Sequence, residues 1–153
     1  MKAKELMTRA ATTCSPQTNL AAAAELMLAA DCGLLPVVDD GKLVGVVTDR
    51  DLYIALGTRN ERAADVCVGE VAQGPVYTCG PDDDIESVLA TMRQRRVRRV
   101  PVEGAGGTVL GIIALDDLAM AAGRTKLLDD RAVIDTLQAV RGEHHLALQI
   151  AAI

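Results

Sequence analysis

The segment GVVTDRDL (45–52) carries an apolar run into Thr48, and a carboxylate, Asp51, follows three residues later. A hydroxyl and a carboxylate at that spacing can serve two ends. Thr48 or Asp49 can cap a helix over 50–56 by accepting from its free N–H groups. The same pair can also meet a polar ligand. An ionised carboxylate accepts both hydroxyls of a ribose, a threonine hydroxyl bonds a sugar or phosphate oxygen, and a helix N-terminus favours an anion. The sequence is compatible with both uses.

The basic run Arg93-Gln94-Arg95-Arg96-Val97-Arg98-Arg99 is the other concentration of reactive side chains. Arg93, Arg95 and Arg96 suit a solvated helix end, where cations oppose the negative C-terminal dipole. Arg98 and Arg99 differ, because they immediately precede Val100-Pro101-Val102. Cys14, Cys32, Cys67 and Cys79 form no CxxC pair, and His144 and His145 lie far from them, so zinc-site spacing is absent and no metal site is expected. Reduced, mostly buried thiols acting as small apolar residues are expected, with a disulfide or a dimer-interface metal site as the alternative. No Ser or Cys stands beside a placed His, and neither a phosphate-binding loop motif nor a reactive carboxylate pair is evident. The reading is of a protein without catalytic residues.

Composition sets the frame. A chain of 153 residues is long enough to bury roughly 70% of its unfolded surface. Half of it is apolar, yet it has no Phe or Trp and only Tyr53 and Tyr77, so Ala, Val, Leu and Met must fill the core. A net charge of −5 argues against nucleic-acid binding. Asp31, Asp39 and Asp40 break the richest apolar stretch, so no membrane span is expected. The opening MKAKELMTRA lacks a signal-peptide core, which makes cytoplasmic the expected location.

The elements that position these residues occur twice. Residues 5–20 align with 70–85, matching Glu5 with Glu70, Cys14 with Cys79, Pro16 with Pro81 and Leu20 with Ile85. The same offset pairs Met27 with Met92 and LLPV (34–37) with RVPV (99–102). After one inserted residue, LVGVVTDRDL (43–52) meets VLGIIALDDL (109–118). In each copy an extended Pro-containing segment precedes a helix, 19–30 or 84–96. Thr18 and Asp83 are the expected N-caps, Asp83 in a capping box with Glu86. Leu20, Ala23, Met27 and Ala30 fall at helical spacing. Two β-rich runs follow, joined by Asp40-Gly41 in one copy and by Gly104-Ala105-Gly106-Gly107 in the other. A last helix begins near Asp49 and near Asp116. The expected fold is α+β: a β-α-β-β-α repeat over 1–57, a linker over 58–69, a second repeat over 70–123 and a helical tail over 124–153. Two copies suggest a pseudo-two-fold pair rather than a solenoid.

With GLLPVVDDGKLVGVVTDRDL in one copy and VRRVPVEGAGGTVLGIIALDDL in the other, the chain resembles a tandem CBS-domain (Bateman) module over about residues 3–122. The resemblance implies a non-catalytic regulatory or sensor module. Such a module binds an adenosyl nucleotide (AMP, ADP, ATP or a relative) in the cleft between repeats and often forms a homodimer. The family usually controls an attached enzyme or channel; with a tail of only about 30 residues, an unidentified protein target is the expectation here. The Ser/Thr-x-x-Asp pattern is the family's ribose signature, which Thr48 and Asp51 match. Residues before the hydrophobic-Pro segment of the other repeat approach that ligand in the family. The implied site therefore joins Thr48 and Asp51 to Thr78, Cys79, Val97, Arg98 and Arg99. The opposite site would join Asp117 to Thr13, Cys14, Gly33 and Leu34. It departs from the signature at Ala114, where the hydroxyl is lost, and is expected to be weaker. Tyr77 stands where it could stack on a base, although a core or rim position is the commoner role.

In the tail, Leu127, Val133, Ile134, Leu137 and Val140 form one helical stripe, with packing on the same chain expected and packing across a dimer as the alternative. Gly142 suits a helix stop, and His144-His145 suits a surface pair. Two other classes of function stay open: a structural dimerisation protein with a vestigial cleft, and a metal- or redox-responsive protein using the cysteines and histidines.

Overall fold

The computed structural model describes residues 1–124 and 128–150, with the side chains of 143–150 outside that description. In chain order the elements are α1 (Ala3–Leu6), β1 (Thr8–Arg9), α2 (Leu20–Ala29), β2 (Leu34–Asp39), β3 (Lys42–Thr48), α3 (Asp49–Arg59) and α4 (Val68–Val71), then α5 (Ile85–Arg95), β4 (Arg99–Glu103), β5 (Val109–Ala114), α6 (Leu115–Ala122) and α7 (Asp130–Ile150). This is the expected α+β fold with a helical tail. The chain divides into two compact units. One holds Ala10–Val76 with Glu103–Leu110; the other holds Met1–Arg9, Tyr77–Val102 and the chain from Gly111 onward.

In the first of these, β2 and β3 pair antiparallel with Asp39 opposite Lys42. Asp40 (φ 47°) and Gly41 (φ 74°) both take left-handed conformations, the turn whose twist matches right-twisted strands. The register slips between Val37, opposite Gly45, and Val38, opposite Leu43. The expected leading strand shrinks to one parallel bridge, Cys14 to Val37, in which Cys14 N donates to Pro36 O at 3.0 Å and Val38 N to Cys14 O at 2.8 Å. The N-cap of α2 is Asn19, not Thr18: Asn19 Oδ1 accepts from Ala22 N at 2.8 Å. Thr18 is committed elsewhere, its hydroxyl accepting from Ser15 N at 3.0 Å to close the turn through Pro16. Leu20, Ala23 and Met27 are buried as expected, but Ala30 is an exposed C-cap beyond the buried stripe.

The second unit repeats this logic. Cys79 bridges Val102 in parallel, and the sheet order is β1-β5-β4. Asp84, not Asp83, is the N-cap of α5, and the expected capping box with Glu86 is absent. Asp83 Oδ2 instead accepts from Gly80 N at 2.8 Å, closing the turn around Pro81 just as Thr18 does around Pro16. The N-terminal segment belongs to this unit, which no sequence signal indicated. Ala3 N donates to Asp83 O and Lys4 N to Pro81 O, both at 2.9 Å, while Lys2 pairs with Asp84 and Lys4 with Asp82. β1 then pairs with β5, Thr8 opposite Ile112 and Arg9 opposite Gly111. Only glycine fits at 111, because a Cβ there would lie 2.5 Å from Thr8 O.

The tail packs on its own chain, against α5 and α6. Leu128 and Val133 enter the core and Thr136 is fully buried, but Ile134 and Leu137 are 49% and 40% exposed, so the expected stripe is displaced by part of a turn. Leu127 lies outside the described residues. Gly142 does not stop the helix, which continues to Ile150; glycine inside a helix costs only about 1 kcal/mol against alanine.

Each unit has its own aliphatic core. Cys14, Leu20, Met27, Leu35 and Val37 occupy one, and their repeat equivalents Cys79, Ile85, Met92, Val100 and Val102 occupy the other. Burial of each Leu, Ile or Met side chain stabilises its unit by roughly 1.5–3 kcal/mol, and this fixes the strand ends from which α3 and α6 start.

Candidate functional site

Thr48 ends β3 and caps α3 with extended backbone, φ −112° and ψ 161°. Its hydroxyl accepts from Asp51 N at 3.2 Å and donates to Asp51 Oδ2 at 2.8 Å; Thr48 N donates to the same oxygen at 2.8 Å. Capping is therefore real, and Thr48 performs it rather than Asp49, whose Oδ1 accepts from Arg50 N at 2.8 Å. Asp49 N donates to Gly33 O at 3.2 Å. The N–H groups of residues 48–51 are thus all engaged. The helix start keeps its dipole, yet these four donors are not free for a phosphate.

Capping consumes the threonine proton, one of its lone pairs and one carboxylate oxygen. Asp51 Oδ1 has no hydrogen bond among the described residues, and a lone pair remains on Thr48 Oγ1. Both are acceptors, so the complementary group must donate. A vicinal diol does so, and an unprotonated phosphate does not.

The equivalent start of α6 is built differently. Ala114 holds the N-cap position without a side-chain bond, and Asp117 is exposed. Leu115 N donates to Arg98 O at 2.8 Å, the counterpart of the Asp49–Gly33 bond. A hydroxyl absent at Ala114 arrives from elsewhere: Thr8 Oγ1 donates to Asp117 Oδ2 at 3.4 Å.

Within one unit the structure gathers Thr48 and Asp51 with Gly33 and with Leu34, the residue opposite Thr48 in the hairpin. Thr13 and buried Cys14 belong to the same unit. Within the other it gathers Asp117 with Arg98, while Thr78, buried Cys79, Val97 and Arg99 share that unit. The Arg98 side chain is exposed, and neither it nor the Arg99 side chain has a polar partner among the described residues.

The remaining arginines are more engaged than a solvated helix end requires. Arg93 is half-buried and donates to Thr136 Oγ1 at 2.8 Å, fastening α7 to α5. Arg95 lies over the Tyr77 ring, 5.0 Å from its centre, so one face of Tyr77 already carries a cation instead of a base. Sequence reasoning missed an open cavity of about 270 Å³ beside α3 and α4. Among the anticipated residues only Asp51 lines it, with Ile54, Thr58, Arg59 and Glu70. Arg59, inside the stretch read as linker, pairs at 3.2 Å with Glu70, the first residue of the second repeat, a contact that neither residue's sequence neighbours indicated.

All four cysteines are free thiols. Burial pushes Cys14 up to about 11; burial and then the nearby Asp83 carboxylate push Cys79 up to about 11. Both stay protonated near neutrality. No three His, Cys, Asp or Glu side chains stand close enough to hold a metal among the described residues, and the His144 and His145 side chains lie outside them. No described helix is long and apolar enough to cross a membrane.

The family model for the CBS domain matches residues 3–58 and 68–124. Hypoxic response protein 1 of Mycobacterium tuberculosis is 30% identical over 139 residues, covering 90% of this chain and 92% of its own. A crystal structure of Hypoxic Response Protein I with two coordinated zinc ions superposes with a TM-score of 0.71 at 31% identity over 78% of this chain and 98% of that one. The CBS domain pair of protein MJ0100, in complex with 5'-methylthioadenosine and S-adenosyl-L-methionine, gives 0.75 at 25% identity over 82% and 98%. CBSX2 in complex with AMP gives 0.68 at 26% identity over 80% and 96%.

Proposed function

The chain belongs to the CBS-domain family, and from that premise we propose that it is a non-catalytic regulatory sensor for an adenosyl nucleotide. Its repeats, 1–57 and 70–123 across the linker 58–69, bind AMP, ADP, ATP or a related adenosyl compound in the cleft between them. They signal through a homodimer or a protein target. Thr48 and Asp51 receive the ribose, and Thr78, Cys79, Val97, Arg98 and Arg99 complete the site, with Arg98 on the phosphate. Asp117 with Thr13, Cys14, Gly33 and Leu34 forms a weaker second site.

The observation that carries this reading is the pair of unused acceptors at the start of α3, Asp51 Oδ1 and one lone pair of Thr48. They suit a diol, and the engaged N–H groups beside them leave the phosphate to an arginine. The adenosyl ligands of MJ0100 and CBSX2 support the ligand class. The homodimer has support in Ile54 on α3 and Met120 on α6, matching positions of the two repeats that are 47% and 61% exposed.

Thermal shift with AMP, ADP, ATP and S-adenosylmethionine tests the proposal. A ligand at 100 times its Kd stabilises by about 2.7 kcal/mol, a rise of several degrees in Tm. A protein whose Tm moves with none of them, yet which dimerises, is the structural protein with a vestigial cleft.

A further inference from the structure

On α7, Asp130, Ile134, Leu137 and Arg141 fall within an arc of about 60° at 100° per residue. Ala132, Val133, Thr136 and Val140 occupy the neighbouring arc that turns to α5 and α6. The first arc is left outside: Ile134 is 49% and Leu137 40% exposed, and Asp130 and Arg141 are exposed. Neither Asp130 nor Arg141 has an ion pair among the described residues. Arg131 and Asp135, by contrast, satisfy each other at 2.9 Å on a different face.

The spacing of these four residues selects the partner. The pairs Asp130 with Arg141 and Ile134 with Leu137 share one midpoint, between residues 135 and 136. A two-fold axis through that midpoint, perpendicular to the helix, lays Ile134 against the Leu137 position of an antiparallel copy. It also lays Asp130 against the Arg141 position. We propose that α7 pairs antiparallel with α7 of a second copy of this chain along this stripe. The surface is self-complementary in charge and in apolarity, as an isologous contact requires, and antiparallel helix dipoles attract. A parallel copy in register would set Asp130 against Asp130 and Arg141 against Arg141.

Four half-exposed aliphatic side chains make a small interface core, so the contact is weak and concentration-dependent. The exposed charges contribute orientation more than affinity. The proposal rests on the homodimer of the preceding reading, sets its contact on α7 apart from the exposed Ile54 and Met120 of α3 and α6, and requires no nucleotide.

Sedimentation equilibrium of the full chain, without ligand and at low salt, tests it with Asp130→Arg and Arg141→Asp. Each single reversal opposes two like pairs per dimer and should weaken association about tenfold or more. An equimolar mixture of the two variants should recover it, because every pair across the mixed dimer is then opposite in sign. Leu137→Glu should abolish association, with circular dichroism reporting an intact fold in each variant. A parent that is monomeric across the concentration range overturns the proposal. So does a dimer indifferent to all three changes, which leaves the nucleotide reading intact and moves the interface elsewhere, with Ile54→Arg and Met120→Arg locating it on α3 and α6.

Discussion

Thr8 Oγ1 donates to Asp117 Oδ2 across 3.4 Å, although 109 positions separate the two residues. In the first repeat the corresponding carboxylate, Asp51, receives the hydroxyl of Thr48 at 2.8 Å. The second repeat has lost that hydroxyl to Ala114, and a threonine from the N-terminal strand stands in its place. The replacement is longer and exposed, worth no more than about 1 kcal/mol. It reaches Asp117 only because β1 lies beside β5.

That closeness depends on Gly111. Gly111→Ala places a methyl group 2.5 Å from Thr8 O, a backbone atom that can move only if β1 does. We expect a loss of about 1–3 kcal/mol, with faster amide exchange over residues 7–9. Gly45→Ala is the control, because its nearest neighbour, Ala72 O, lies at an ordinary 3.5 Å. Equal losses in the two variants would contradict the close approach of β1.

Asp51→Ala removes the free acceptor and the capping carboxylate together. Nucleotide affinity should fall about 5- to 150-fold, the equivalent of 1–3 kcal/mol. Stability should fall by about 0.5–2 kcal/mol through the cap. Thr48→Val loses the cap and the Thr48 lone pair but keeps Asp51 Oδ1, so the further loss of affinity in Asp51→Ala, read by calorimetry, measures what that oxygen contributes. Undiminished binding by Asp51→Ala removes the ribose assignment.

The repeat made most of the fold legible. Cys14 and Cys79, or Met27 and Met92, are core residues because each copy builds the same core, and a self-alignment finds them without coordinates. The caps were misplaced by one residue in both copies for one reason. Thr18 and Asp83 have the right chemistry, but the proline turns before them claim their oxygens, and Asn19 and Asp84 stand at the helix starts. Thr48 and Asp51 were legible as a pair because their spacing is local. The Thr8–Asp117 contact was not, since strand pairing between the N-terminus and the second repeat leaves no trace in either segment. Arg93 and Arg95 looked like a solvated charge run, because sequence shows neither the buried Thr136 hydroxyl nor the Tyr77 ring that receives them.

The thiols should divide into two classes. Cys14 and Cys79 are buried with elevated pKa, while Cys32 and Cys67 are half-buried. Iodoacetamide at pH 8 should label Cys32 and Cys67 first, read by mass spectrometry of the native protein. The folded state disfavours the Cys14 and Cys79 thiolates. Between the unfolded value of 9.0 and the folded value of about 11 the unfolded chain therefore binds fewer protons, and stability falls as pH rises through that window. Early labelling of Cys14 or Cys79 would support a redox role instead.

The two motifs should be unequal in their hold on a ligand. Calorimetry on the parent should find about one tight nucleotide per chain, held by Thr48 and Asp51, with Asp117 contributing a weak event or none. Ala114→Ser supplies a side-chain acceptor at an N-cap whose backbone, φ −104° and ψ 141°, already suits one. It should stabilise the protein by about 0.5–2 kcal/mol, a rise of a few degrees in Tm, without any ligand. The same hydroxyl should strengthen the weak event by no more than about 0.5–1.5 kcal/mol. Thr8→Val in the parent should weaken that event further and leave the tight one unchanged, since Thr8 bonds Asp117 and not Asp51. Thr48→Ala combined with Ala114→Ser should not exchange the two sites, because the arginine proposed for the phosphate still serves the Thr48 side. Two equal, tight events in the parent would overturn this account of the asymmetry, whatever the variants do.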